Sequence, residues 1–339
     1  MSFKHIVCNI LPDSVANYLR QVKSLFTLRK EYGLQAERFN KTFSREWSTG
    51  LMQVQTRVIF LTHQIEKGLG HREFRYGFGV RVFKALGPEL AKLETADSGY
   101  LNNPAYRECM SAVHEYIVRH EAAGKDVSEQ RRYFGIEHWE RAKQSNDEYG
   151  GSIVVTAAEK TDNAQKSFIE LAENRHSLRE YSAQPVTEEE IVKAVELATR
   201  APSACNRQPA RVLLISDPDQ IADVLKIQGG VRGYALPSQL LLVTAKTSVF
   251  MGPNERNQGF IDGGLFSMML LMSLEAYGLA ACPLHAMLDG KAESRMREIL
   301  HVPDDEIFVM FVEVGHFPES VRTPQSTRLP VSDIFKNAR

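Results

Sequence analysis

Two textures follow one another along the chain. Over roughly the first 145 residues, apolar positions recur at helical spacing. Val15, Leu19, Val22 and Leu25-Phe26 share one face of a helix predicted over 13–29, with Asp13-Ser14 as its cap. A second helix is predicted over 44–67. Gly68 ends it, because glycine readily takes the left-handed conformation that closes a helix. A third runs over 80–93, with Gly87-Pro88 as a break. A fourth covers 104–123 and ends at Gly124, and a short helix begins near Ser128. This part shows no strand pattern and no repeat period.

The stretch 144–163 is polar and carries Gly150-Gly151, interrupted only by Ile153-Val154-Val155. It marks the expected boundary between a helical region, 1–150, and a second domain, 151–339. Beyond it, short β-branched runs at 211–217, 239–246 and 307–315 alternate with helical segments at 165–174, 187–199, 219–227, 257–277 and 291–300. Thr187 followed by Glu190 is a capping box. Strands alternating with helices predict an α/β or α+β layered domain around one sheet.

Composition narrows the class without naming a function. The 339 residues include 41 basic and 42 acidic side chains, for a net charge of −1. A general attraction to nucleic acid or to an anionic membrane is thereby disfavoured. The four cysteines, Cys8, Cys109, Cys205 and Cys282, lie far apart and form no CxxC pair, so neither a zinc ribbon nor a disulfide scaffold is expected. The N-terminus shows no secretory signal pattern, and reduced thiols suit the cytoplasm. The most apolar stretch, 260–276, carries Asp262 and Glu275 and is short for a membrane span, which takes about 20 residues. It reads as a helix buried inside the protein.

Four clusters offer chemistry. In Arg175-His176-Ser177-Leu178-Arg179, two guanidinium forks and a hydroxyl suit a phosphate, although the same residues also read as a solvated basic helix end. In 201–209, between a helix and a strand, Pro202, Ser203, Asn206 and Gln208 offer donors and acceptors matched to the edge of a heterocycle, although ordinary turn chemistry gives such a loop too. After the apolar helix, Gly278 precedes Cys282, Pro283, Leu284, His285 and Ala286, whose backbone can face a ligand. Cys282 lacks a base partner in sequence and reads as a small buried residue. Near the end, Arg328 offers a further cation.

In this order, the four clusters resemble the FMN-dependent nitroreductase family, whose pattern is Arg-x-Ser-x-Arg followed by Ala-Pro-Ser-x-x-Asn-x-Gln-Pro. The helix with Asp262-Gly263-Gly264, the segment 278–283, and the closing Gly315-His316-Phe317-Pro318 and Arg328-Leu329-Pro330 match the later family segments. The resemblance covers about residues 168–335. It implies an α+β fold of three layers, a mostly antiparallel sheet flanked by helices, preceded here by the helical region. It implies that Arg175, His176, Ser177 and Arg179 hold the FMN phosphate and ribityl chain together with Arg328. Pro202, Ser203, Asn206 and Gln208 would meet the flavin, and Pro283, Leu284, His285 and Ala286 would lie beside its ring. It further implies a homodimer with FMN at the subunit interface and NADH or NADPH as reductant. Two departures stand out: Ser326 replaces a second basic residue two before Arg328, and Ala210-Arg211 replaces an aromatic after Gln-Pro.

The expected activity is hydride transfer from NAD(P)H through flavin to a small organic acceptor, in ping-pong order. No catalytic nucleophile is nominated. His285 is the candidate for substrate contact, and Tyr234, Phe250 and Met251 for lining the pocket or filling core. The alternatives are oxidation of a dedicated peptide or sugar intermediate, and a non-enzymatic flavin scaffold or redox sensor whose helical half binds a partner. The segment 62–69 with Gly77-Phe78-Gly79 resembles a helical extension of nitroreductase-like proteins from polysaccharide-biosynthesis clusters. His63 and Glu66 share a helical face, but no third metal ligand is evident and no metal is expected.

Overall fold

The computed structural model describes residues 12–338; Cys8 and the N-terminal signal reading lie outside them. The helical region contains α1 (Asp13–Thr42), α2 (Leu51–Gly70), α3 (Val80–Ala96), α4 (Pro104–Ala122), α5 (Ser128–Phe134) and α6 (Ile136–Lys143). Helices α2 to α6 enclose one apolar core, in which Ile65, Phe83, Leu86, Tyr116, Phe134 and Trp139 are buried. Asn103 caps α4 by accepting from the Ala105 N–H, and Gly124 beyond its end is left-handed at φ 59°.

Three helix boundaries differ from expectation. Helix α1 starts at Asp13 itself, with Pro12 at the cap, and runs on to Thr42. Gly68 lies inside α2, and its bareness serves packing: a Cβ there would sit 2.0 Å from the Phe78 ring. Helix α3 continues through Gly87-Pro88. Leu86, Leu90 and Leu93 are locked into the core, and this burial overrides the local cost of proline. A Cβ on Gly87 would lie 2.2 Å from the Tyr133 carbonyl oxygen, so the glycine lets α5 approach.

Beyond residue 150 come β1 (Ser152–Thr156), α7 (Phe168–Asn174), α8 (Glu188–Ala198), β2 (Ala210–Ile215), α9 (Pro218–Gln228), β3 (Gln239–Lys246), α10 (Gln258–Ala276), β4 (Leu279–His285), α11 (Gly290–Leu300), β5 (Glu306–His316), β6 (Ser320–Pro324) and α12 (Val331–Ile334). Strands β2, β3, β5 and β4 form an antiparallel sheet in that order. One face packs on α8 and α10 through Leu241, Val243, Val312 and Leu270. The other packs on α9 and α11 through Leu240, Leu242, Phe311, Val224 and Met296. The expected three-layer α+β architecture is present. Strands β1, β4 and β6 were not foreseen as strands: in β4, Ala280-Ala281-Cys282-Pro283 lacks β-branched residues, and its extended form comes from pairing with β5.

The apolar stretch 260–276 is α10. It belongs to the one described helix, Pro253–Ala276, long and apolar enough to cross a membrane by length and composition, yet most of it is buried in the fold. Strands β1 and β6 form a two-stranded ribbon against α2. Glu66, fully buried, accepts from the Gly151 N–H at 3.0 Å, and Glu115 accepts from the Ser152 N–H at 2.7 Å. The closing segment is held the same way: the Tyr149 hydroxyl donates to the Arg328 carbonyl at 3.2 Å, and Gln325 donates to the Glu148 carbonyl.

Candidate functional site

The basic segment 175–179 is extended rather than helical. Arg175 follows α7 with ψ near 121°, Ser177 bridges in parallel to Ala281 on β4, and the Leu178 N–H donates to the Ala281 carbonyl at 3.1 Å. A period of two puts Arg175, Ser177 and Arg179 on one side. Leu178 turns the other way, into a small core with Val155, Ala280 and Val321.

A buried ion pair fixes the approach to this segment. Lys160 meets Glu275 at 2.7 Å with both side chains almost wholly buried, and Lys160 also donates to the Asn174 carbonyl immediately before Arg175. Glu275 is therefore already engaged. The Arg175 Nη1 is buried and has no hydrogen-bond partner among the described residues. Burial pushes the Arg175 guanidinium down from its usual pKa; Glu275 opposes the shift and Arg328 adds to it. His176 is pushed down to about 4 by burial, then by Lys160, Arg175 and Arg328, so it is neutral at pH 7.

The charges converge on β4. The Cys282 thiol is buried and pushed up to about 12, with Arg179, Arg175 and Lys67 among the charges around it. It is no nucleophile at neutral pH. Opposite it on β5, Glu313 is buried and its Oε2 has no hydrogen-bond partner among the described residues. Burial raises its carboxyl to about 8, against the pull of Arg179. At pH 7 it is mostly protonated, so it does not neutralise Arg179. Sequence reasoning missed Lys67 and Glu313. Lys67 reads as an ordinary last-turn cation, and Glu313 as one charge in an apolar run.

The amide loop is built differently. Cys205, Asn206 and Gln208 all have left-handed backbones, at φ 51°, 54° and 48°. Three such non-glycine residues in one short loop are costly and tend to occur where function requires them. Ser203 Oγ accepts from the Gln208 N–H at 2.9 Å. The buried Asp262 on α10 accepts from the Ala204 N–H at 3.3 Å, and Arg207 meets Glu255 in a two-pronged pair. Asn206 and Gln208 remain exposed. Pro202, Ser203, Gln208, Asp262 and Phe266 line a cavity of about 190 Å³.

One chain does not bring the two clusters together. The arginine segment lies beyond β4, level with Val314, whereas the amide loop precedes β2 at the level of Ile307. That offset along β5 is about 23 Å at about 3.3 Å per residue, and the clusters also flank opposite edges of the sheet. Pro283, Leu284 and His285 lie on β4, with Ala286 just beyond it. His285 is exposed, and its carbonyl accepts from Gln228 at 3.1 Å. Tyr234 is half-buried in a cleft facing the helical region, while Met251 is exposed and Phe250 half-buried near Arg207.

The sequence profile of the Nitroreductase family matches residues 172–316. A Streptococcus pyogenes protein named as an NAD(P)H nitroreductase is 40% identical over 204 residues, which are 50% of this chain and 98% of that protein. The chain belongs to the nitroreductase family. An NADH dehydrogenase of Thermus thermophilus is 28% identical over 193 residues, 47% of this chain and 90% of that one. An FMN reductase [NAD(P)H] of Bacillus subtilis is 23% identical over 172 residues, 46% of this chain and 68% of its own length. This nitroreductase-family chain thus matches these relatives over about half its length. Its helical region is additional to the family match at 172–316.

Proposed function

We propose that this protein is an FMN-dependent NAD(P)H oxidoreductase that acts as a homodimer, with electrons passing to a small organic acceptor in ping-pong order. The observation that carries this reading is the buried, unpaired Arg175 Nη1 in a cluster with Arg179, His176 and Arg328. Leaving such a donor unmet costs about 1–3 kcal/mol, and a phosphate oxygen would satisfy it. Ser177 adds a hydroxyl on the same side of the chain. When bound, FMN supplies two-electron chemistry, taking hydride from the nicotinamide and returning electrons to the acceptor.

In this proposal Arg175, Ser177, Arg179 and Arg328 hold the phosphate and ribityl end, with neutral His176 beside them. The backbone of Pro283, Leu284, His285 and Ala286 lies against the ring, and the His285 side chain, exposed at the strand end, reaches the acceptor. Pro202, Ser203, Asn206 and Gln208 complete the site from the second subunit. The separation within one chain supports that division. So does an exposed apolar stripe on α10 formed by Phe260, Ile261, Leu265 and Met268. Helix α1, docked just before α10 through Tyr32, Gln35 and Glu31, also leaves Leu25, Phe26 and Tyr18 exposed. The division of labour near residue 150, a cytoplasmic setting, and a place for the helical region in polysaccharide biosynthesis belong to the same proposal.

The test is the absorbance spectrum of the purified protein, followed by anaerobic titration with NADH and NADPH. A flavin spectrum that bleaches with either donor, on a particle of dimer mass, is the expected result. A colourless protein that does not take up added FMN overturns the reading. A flavin that neither donor bleaches would transfer the assignment to a dehydrogenase acting on a dedicated substrate.

A further inference from the structure

Helix α1 (Asp13–Thr42) is 30 residues long, and Ala16 is the one buried residue in it. Helices in proteins owe most of their stability to packing of an amphipathic face, and α1 packs almost none of its own. The contacts that tie it to the sheet domain lie close together. The Tyr32 hydroxyl donates to the Arg256 carbonyl at 3.4 Å, Asn257 donates to Gln35 at 3.0 Å, and Arg256 meets Glu31 at 3.7 Å.

A longer face of α1 carries a repeat. Tyr18, Leu25, Tyr32 and Phe39 stand seven residues apart. Val15, Val22, Arg29 and Ala36 do the same, each three positions before a member of the first set. This is the a and d pattern of a coiled coil, kept over four heptads. None of the e and g positions that flank it carries a charge. Of the docking residues, Tyr32 alone belongs to the seam. Tyr18, Phe39 and, beside the seam, Phe26 are 65%, 67% and 69% exposed.

Area and residue order point to a second copy of α1 as the cover. At roughly 200 Å² per aromatic side chain, these three rings offer about 400 Å² per copy, or about 800 Å² for a pair. Half-exposed Val15, Leu19 and Leu25 carry the total past the roughly 1,000 Å² that a specific interface needs. Direction follows from Arg29 and from side-chain volume. In a parallel pair the two Arg29 side chains would face each other across the seam, like charge against like. In an antiparallel pair with its two-fold axis level with Thr27, midway along α1, Val15 faces Phe39, Val22 faces Tyr32 and Ala36 faces Tyr18. Each of these layers sets a small side chain against a ring. Arg29 then faces Leu25, where its stem can cover apolar surface while its charge stays in water.

We propose that α1 pairs antiparallel with α1 of a second copy of this chain, in the register that sets Tyr18 opposite Ala36. The pairing is independent of flavin chemistry and of the stripe on α10. Its area is at the low end for an interface, so covalent trapping rather than particle mass is the readout.

Full-length Tyr18→Cys/Ala36→Cys is purified in a Cys8→Ser/Cys205→Ser background, which leaves the buried Cys109 and Cys282 in place. Along one helix the two new thiols are about 27 Å apart, at about 1.5 Å per residue, and cannot bridge. Mild oxidation should convert most of the chain to a covalent dimer, at least fivefold more than either single cysteine variant gives. Phe39→Glu in the same background should cut trapping at least fivefold. Phe39 is exposed, so its variant should fold, and an unchanged urea midpoint checks this. Trapping no better than in the single variants overturns the inference. Efficient trapping by Tyr18→Cys alone would mean parallel helices and overturns it as well. Co-sedimentation with phosphatidylglycerol vesicles, lost in Phe39→Glu and without trapping, would give the face to a lipid surface, which also overturns it. A colourless protein that traps leaves this inference standing while the flavin reading falls; a flavoprotein that does not trap does the reverse.

Discussion

Replacing Arg175 by methionine should separate binding from folding. The side chain keeps its length and apolar contacts but loses a guanidinium whose Nη1 is buried without a partner. In the flavin-free protein that donor is a cost of about 1–3 kcal/mol, so removing it should leave stability unchanged or raise it. In the proposed site the same donor would make a charge-assisted bond to the FMN phosphate worth about 1.5–3 kcal/mol. The dissociation constant for FMN should therefore rise roughly 10- to 150-fold. The assay pairs fluorescence titration of apoprotein with FMN and urea unfolding of the same apoprotein. Opposite signs in the two measurements are expected. If Arg175→Met destabilises the apoprotein by about 2 kcal/mol or more and binds FMN normally, the arginine is structural and the phosphate argument fails.

Three further outcomes follow from the same geometry. Lys160→Met strands the buried Glu275 and should cost about 3–5 kcal/mol in urea unfolding, with much of the loss recovered in Lys160→Met/Glu275→Leu; no recovery would refute the ion-pair account. Glu313→Gln should flatten the pH dependence of stability. The folded carboxyl titrates near 8 and the unfolded one near about 4.3, so the native chain holds the extra proton in between and stability falls as pH rises through that window, by up to a few kcal/mol. Denaturation midpoints from pH 5 to 9 check this, with a smaller slope of the same sign left by Glu108, whose buried carboxyl is also raised to about 8. Leu265→Arg, placed in the exposed stripe of α10, should yield monomers by light scattering and release flavin; a flavin-loaded dimer would remove α10 from the interface.

Much of the fold was legible because it depends on local periodicity. The capping box at Thr187 and Glu190 is present, and β3 spans the residues that the apolar run marked. The errors have a common cause. Gly68 and Gly87 look like breakers, but each is bare because another element presses against it. Strand β4 lacks strand-forming side chains and is extended because β5 lies beside it. The candidate site was legible as motifs, since Arg175, Ser177 and Arg179 alternate along an extended segment that brings them to one side. The part contributed by α2 was not, because Lys67 forms no motif with Arg179, which lies more than a hundred positions away.

The amino-acid sequence alone determined most of the helices and the strands β2, β3 and β5, the polar stretch between the helical region and the layered domain, and the residue types able to meet a phosphate. These depend on neighbours a few positions apart, and their signals lie along the chain. Tertiary structure decided which charges go uncompensated. The Arg175 donor is stranded because Lys160 engages Glu275, and Glu313 does not offset the charge of Arg179 because burial holds the proton on that carboxyl. Tertiary structure also held the arginine segment and the amide loop apart within one chain, and laid the helical region against the sheet domain to form the cleft. Desolvation and through-space charge depend on packing, which no local pattern encodes.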